Sequence, residues 1–418
     1  MNKNKLADAR NAISRFIAYA GPALIVSIGY MDPGNYGTDI QGGAAHGYTL
    51  LWVVWLASSM AMLLQYLSGK LGIATGLSLP EIIRHKLRKN IYIVPYWLSA
   101  EIIAASTDLA EYLGTVIALN LLFGVPLIYA AIFGALDVII ILGLTTKRFR
   151  VLEQLFLLFV SMISFGYFYE IFIAKPDSVQ IIYHSFVPAI ANSSALFVIV
   201  GVIGATVMPH VIFLHSALTR DKVQGSNIEQ RTKFRKYHLM ETIILLSVAG
   251  VVNATIMIMS AVAFNPTNAS IQSISEAYKT LIPLFGLVAA NIFLITLLSS
   301  GIASSVAGTL AGQVIMEGLL GKKVNVWIRR FIRRFITRFI NVIPTTIAIL
   351  IGIDPLHILI YSQVVLSILI PLPIIPLIIL TKNKTLMGKF VNRKITTVVA
   401  AAFTGIIAIF NAYLLLTI

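Results

Sequence analysis

Apolar runs close to the roughly 20 residues that cross a bilayer recur from one end of the chain to the other, and nothing else in the sequence restricts the fold as strongly. Hydrocarbon offers no water to a peptide N–H or C=O, so a spanning segment must satisfy its own backbone, which for apolar runs of this length means helix. Eleven spans are read near residues 16–36, 47–72, 92–120, 126–145, 150–173, 192–217, 238–262, 281–316, 339–353, 355–380 and 395–417. The expected class is therefore an all-α polytopic membrane protein. Composition agrees: 12% of the residues are charged, about half the share of a soluble domain. The absence of cysteine removes disulfides, thiolate zinc sites and cysteine nucleophiles from consideration.

A net charge of +15 would suit a nucleic-acid partner, but its placement points elsewhere. Of the 32 Lys and Arg residues, all but Lys70, Lys175 and Lys279 fall in residues 1–15, 73–91, 146–150, 218–237, 317–338 and 381–394. With eleven spans these segments share one face. Such a bias is the positive-inside pattern of a plasma-membrane protein, with the N-terminus in the cytoplasm and the C-terminus outside. The partner expected from this charge is a lipid bilayer, not nucleic acid. "AYA" at 18–20 resembles a signal-peptidase site, but too few apolar residues precede it to form a signal core.

No linker or low-complexity tract divides residues 1–418, so one transport domain is expected, with halves at about 16–173 and 192–380 and an extra helix at about 395–417. The polar stretch 218–237 reads as a hinge or tether between the halves. "VWIRRFIRRFITRFINVI" (326–343) repeats Arg330, Arg334, Arg338 and Phe331, Phe335, Phe339 every four residues. On a helix this sets a basic stripe beside an aromatic one, as at an inner membrane surface.

Two spans carry interruptions. "SIGYMDPGNYGTDIQGG" (27–43) places Asp32, Pro33 and Gly34 inside apolar sequence, and "VMPH" (207–210) does the same in the sixth span. Paired breaks in corresponding spans point to a transporter built from inverted repeats, with its substrate site where the breaks meet. Asp32 offers a carboxylate, Asn35 an amide oxygen and Met208 a thioether. Ala205, one turn before Met208, offers a carbonyl if the helix is unwound there. A proline is often only a kink and a methionine usually packing. An aspartate inside a span is a functional candidate by default. Oxygen ligands alone would suit Mg²⁺ or Ca²⁺; adding sulfur favours first-row transition metals. The donor set reads as a site for Mn²⁺ or Fe²⁺ as transported substrate, with no permanently bound cofactor. In the third span Glu101, Asp108 and Glu111 are seven and three residues apart and share a helix face. Three carboxylates there suit a proton path, and His210 and His215 after the sixth break could carry protons too.

With these residues in view, the chain resembles the Nramp family of divalent-metal transporters over nearly its whole length. The family's first-helix motif appears as Asp32, Pro33, Gly34 and Asn35, and its sixth-helix pattern as Ala205, Met208 and His210. "DLAEYLG" matches the third-helix acidic pair Asp108 and Glu111, "GTLAGQVIMEGLLG" (308–321) a transport signature, and "YSQVVLS" (361–367) the stretch whose glutamine, Gln363, approaches the metal in some conformations. "RRFITR" (333–338) matches arginines that neutralise the acidic pair, Arg334 being the closest match. The resemblance implies a LeuT-like fold of five plus five helices in inverted repeat with an eleventh appended, and metal import coupled to protons. It implies Asp32, Asn35, Met208, the Ala205 carbonyl and Gln363 as metal ligands. Asp32, Glu101, Asp108, Glu111, His210, His215 and Arg334 would take up or stabilise protons. Relatives that carry Mg²⁺ lack the methionine, so Met208 places the chain with transition-metal carriers. A monomer that is not an enzyme is expected. The rival readings are a sodium-coupled amino-acid transporter on the same scaffold, a passive metal channel, and an intramembrane hydrolase, for which no histidine pair has metalloprotease spacing.

Overall fold

The computed structural model describes residues 21–134, 149–190, 192–265, 273–321, 347 and 353–417, which are helical with short connections. The first span is two half-helices, α1 (Pro22–Gly29) and α2 (Pro33–His46). It is followed by α3 (Leu51–Thr75), the short α4 (Leu79–Leu87), α5 (Asn90–Phe123), α6 (Phe149–Ala174) and α7 (Ser178–Phe186). A second broken pair, α8 (Ser193–Val207) and α9 (Pro209–Lys222), opens the other half. After it come α10 (Ile228–Phe264), α11 (Ile274–Leu320), α12 (Pro355–Leu369), α13 (Pro371–Thr381), α14 (Lys384–Met387) and α15 (Lys394–Thr417). Among the described residues eight helical segments, counting α8–α9 and α12–α13 as one each, are long and apolar enough to cross a membrane. Most of the expected spans 126–145 and 339–353, and the stripe at 326–343 with Arg334, lie outside the described residues.

Three expectations need correction. The first span was expected to end near residue 36, yet α2 continues to His46, which puts the break in the middle of the span. The sequence of α2 is polar and glycine-rich because almost none of it meets lipid. Gly34 abuts the Gln363 side chain, and Gly43 abuts the Met257 carbonyl and Ser260, so a Cβ at either place would overlap its neighbour. A helix enclosed by other helices needs small residues more than apolar ones. The expected tether at 218–237 is mostly helix: α9 runs to Lys222 and α10 begins at Ile228. Asn227 and Gln230 close a capping box there, and Arg231 reaches the carbonyls of Ile73 and Ala74 at the end of α3. Finally, the tenth span is interrupted at Ile370 before Pro371, and the eighth bends at Gly286 (φ 87°), three residues after Pro283.

The packing that positions the breaks is close. On α11, Gly301 lies against Thr115 and the Glu111 backbone, while Gly308 lies against the Glu111 carboxylate. Gly114 of α5 meets Pro33 at the first break. The half-helices α1 and α9 are tied to the scaffold by carboxylates. Glu241 of α10 accepts from the N–H groups of Gly21 (2.6 Å) and Leu24 (3.3 Å) at the start of α1. Arg220, near the end of α9, pairs with Glu81 at 2.9 Å. Burial opposes ionisation of Glu81, but bonds from Ser78 and Arg220 outweigh it and hold the carboxyl below its usual range.

Candidate metal site

Both breaks arise from one local rule. Proline has no N–H, so the carbonyl four residues before it has no helical donor, and the residue directly before it is driven out of helical geometry. Pro33 deprives Gly29 of a donor and makes Asp32 extended (φ −83°, ψ 165°). Pro209 deprives Ala205 of a donor, and Met208 takes the left-handed region (φ 47°, ψ 82°). A left-handed methionine is strained. In each break a sequence-selected residue is the one the proline displaces.

The two breaks meet. Asp32 caps α2, its Oδ1 accepting from the Asn35 N–H (2.8 Å) and the Asn35 side-chain amide (2.8 Å). The same amide nitrogen donates to the Ala205 carbonyl at 3.3 Å. The Asn35 oxygen accepts from Thr206 (3.0 Å) and Asn253 (3.2 Å). Tyr30 Oη donates to the Val207 carbonyl at 3.4 Å. Asn253 also donates to the Tyr30 carbonyl (3.0 Å), and Ser300 to that of Met31. The Met208 sulfur lies against Gly29, where an added Cβ would sit 3.0 Å from it. Gln363 lies against Gly34 from α12.

Asp32, Asn35, Ala205, Met208 and Gln363 are thus brought together, and each is fully buried or nearly so. Two oxygens there are unspent: Asp32 Oδ2 and Gln363 Oε1 have no hydrogen-bond partner. Buried polar atoms are normally paired, so these two oxygens remain available as ligands. The remaining donors are an amide oxygen, a poorly satisfied carbonyl and a thioether, a mixed set suited to a transition metal. Among the described residues no three His, Cys, Asp or Glu side chains gather as a metal cluster. A metal at the breaks would rely on the neutral donors beside one carboxylate.

The residues selected for protons divide. Asp108 and Glu111 are buried on α5, and Thr107 beside them shares a 3.0 Å hydrogen bond with His210 Nδ1, which links α5 to the second break. His215 Nδ1 bonds Gln65 Oε1 at 3.0 Å and its ring stands edge-on to His238, 4.8 Å between centroids. Glu101 does not join the buried pair. It is only half-buried and accepts from the Trp97 indole at 2.9 Å, because it lies two turns from Asp108, where α5 is only partly covered. The sequence reading passed over Asp39, Glu170 and Glu241, all buried. Asp39 was findable, being seven residues after Asp32 on one face of α2. Glu170, in "GYFYEIFIA", was findable as a carboxylate inside an apolar span.

A family model described as Nramp, natural resistance-associated macrophage protein-like, matches residues 23–417. A divalent metal cation transporter MntH of Deinococcus radiodurans is 39% identical over 404 residues, covering 96% of this chain and 90% of that protein. Crystal structures of a manganese transporter of Eremococcus coleocola superpose with a TM-score of 0.84 at 32% identity, over 95% of this chain and 85% of that one. MhsT in complex with L-phenylalanine gives a TM-score of 0.62 at 13% identity, over 94% and 97% of the two chains. That likeness concerns the fold alone, which is LeuT-like.

Proposed function

Since the chain belongs to the Nramp family, we propose that it is a multi-pass carrier that imports divalent transition-metal ions, Mn²⁺ foremost and Fe²⁺ with it, in symport with protons. The observation that carries the reading is the unpartnered Asp32 Oδ2 at a buried meeting point of two proline breaks, beside the Ala205 carbonyl that Pro209 leaves without a donor. Asp32, Asn35, Met208 and the Ala205 carbonyl hold the ion, and Gln363 adds its free oxygen from α12. The Met208 sulfur discriminates against Ca²⁺ and Mg²⁺, for which a thioether is a poor ligand.

Transport follows from the broken helices. A bare carboxylate at mid-depth is costly, so α1 and α9 move against the scaffold once metal or a proton neutralises Asp32. Released protons pass through the α5 region, where the Thr107–His210 bond adjoins Asp108 and Glu111. The unit is a single domain in the plasma membrane, with its N-terminus cytoplasmic and its C-terminus outside, working as a monomer. It is a carrier and catalyses no reaction. A sodium-coupled amino-acid carrier on this scaffold is disfavoured by Asp32, whose free oxygen stands where a substrate carboxylate would have to sit.

Uptake into proteoliposomes tests this directly. Labelled Mn²⁺ should accumulate, with Fe²⁺, Co²⁺ and Cd²⁺ competing and Ca²⁺ and Mg²⁺ failing to compete. The lumen should acidify as the metal enters. Competition by amino acids, or metal entry with no proton movement, would overturn the substrate class or the coupling respectively.

A further inference from the structure

Beside the first break, on α2 and α6, four further polar atoms lie buried with no partner of hydrogen-bonding geometry. They are both carboxylate oxygens of Glu170 and the hydroxyls of Tyr36 and Tyr167. Glu170 is 2% exposed, Tyr167 1% and Tyr36 0%. On α6, Phe156, Val160, Ile163, Tyr167 and Glu170 follow one another at helical spacing and are all buried, while Phe165, Phe168 and Phe172 face outward. Glu170 therefore ends a packed stripe and does not face lipid. Tyr36 stands one turn beyond Asp32 on α2. Its ring meets Tyr167 edge-on at 5.4 Å, with Phe293 of α11 at 6.3 Å on another side. The two phenol hydroxyls stand close to each other and to Thr296 of α11 without closing a bond of normal geometry.

An ionised carboxylate without a partner is not sustained in such surroundings, so this pocket requires a cation. A divalent ion needs about six donors, and the pocket supplies one carboxylate and two neutral phenols. A proton needs only one oxygen, and a phenol can accept from the acid form of Glu170 or donate to its base form. Resting on the proton-coupled reading above, we propose that Glu170, Tyr36 and Tyr167 form an outer proton-loading station. A hydronium in water entering from the outer face gives its proton to the Glu170 carboxylate, one O–H bond breaking as another forms. Among the described residues, Glu170 interacts electrostatically with Tyr167 on its own helix and Tyr36 on α2; Asp32 acts in turn on Tyr36 and Asp39. The station is built on α2 and α6, whereas the pair Asp108 and Glu111 is on α5.

The test uses the full chain in proteoliposomes, with Glu170→Gln, Glu170→Asp and Tyr167→Phe beside the wild type. Three quantities are read: equilibrium binding of labelled Mn²⁺, initial uptake against external pH, and lumenal acidification per Mn²⁺ taken up. Glu170→Gln should retain Mn²⁺ binding while acidification falls several-fold and the pH profile flattens. Glu170→Asp should restore pH dependence, and Tyr167→Phe should displace the midpoint of the profile without flattening it. Wild-type acidification and pH response in Glu170→Gln would overturn the station, and loss of Mn²⁺ binding in that variant would overturn it by making Glu170 a metal ligand. If Glu170→Gln does not assemble, an unmoved midpoint in Tyr167→Phe overturns the proposal in its place. A wild type that imports Mn²⁺ without acidification defeats the proton-coupled reading itself, which is separate from failure of the variants alone.

Discussion

The interruptions at Pro209 and Pro371 use the same local chemistry and end in opposite states. Each proline sits four residues after a carbonyl, Ala205 in one case and Ser367 in the other, and can give neither a hydrogen bond. The Ser367 carbonyl is fully served. It accepts from the Ile370 N–H (3.2 Å) and from Asn411 of α15 (2.8 Å), while the Ser367 hydroxyl donates back to Asn411 at 2.9 Å. Ile370 stays in the helical region (φ −50°, ψ −41°), so the tenth span is only kinked. Ala205 has the Asn35 amide at a long 3.3 Å, and Met208 is turned left-handed. Proline in a membrane helix therefore marks where a carbonyl loses its donor. Whether the carbonyl becomes a ligand depends on what a different helix brings to it.

The sharpest way to break this comparison is at the carboxylate. Asp32→Asn should abolish Mn²⁺ binding and uptake, leaving only background in a flux assay, because Asp32 is the carboxylate that caps the first break and keeps one oxygen unpartnered there; substantial remaining uptake would remove Asp32 from the site. Next comes the second proline. Pro209→Ala restores a donor to Ala205 and releases the Met208 strain, so transport should fall to a few percent while stability rises by about 1–3 kcal/mol. Pro371→Ala should change neither much, and a thermal-melt and uptake series on the two variants reads the contrast directly.

Smaller effects probe the donors one at a time. Met208→Ala should reduce Mn²⁺ uptake only in part while letting Ca²⁺ compete; full exclusion of Ca²⁺ by the variant would show that the sulfur does not select. Asn411→Ala leaves the Ser367 carbonyl short of a buried donor and should cost about 1–3 kcal/mol, visible in the melting temperature and with ion preference unaltered. The smallest effect concerns the Arg220–Glu81 tie. Its carboxyl is held below its ordinary value of 4.5 in the folded protein, so the stabilisation is complete above that pH and is lost as pH falls through the lower folded value. Glu81→Gln should cost less than about 1 kcal/mol and should remove that part of the acid dependence of the melt.

Much of this was legible beforehand because it depends on short-range chemistry. Apolar length gave the spans, and Asp-Pro and Met-Pro gave the two breaks. What misled was polarity used as a guide to exposure. The stretch 37–46 looked like a loop and is the enclosed half-helix α2, and 228–237 looked like a tether and is the capped start of α10. Glu101 looked equivalent to Asp108 and Glu111 because periodicity reports direction around one helix and says nothing about what stands opposite. Glu170 was findable as a carboxylate inside an apolar span, but its setting beside Tyr36 and Tyr167 comes from packing between α2 and α6.

By itself, then, the sequence determined where helices must run and where prolines must interrupt them, since both follow from bonds between residues a few positions apart. Only the tertiary structure decided that the Ala205 carbonyl meets the Asn35 amide of the other break and that Asp32 Oδ2 is left unpartnered, while the Ser367 carbonyl is sealed by Asn411. The partners in those cases are 170 and 44 residues away. A hydrogen bond across that distance depends on how helices pack, and packing is set by shape and small residues that no local pattern encodes.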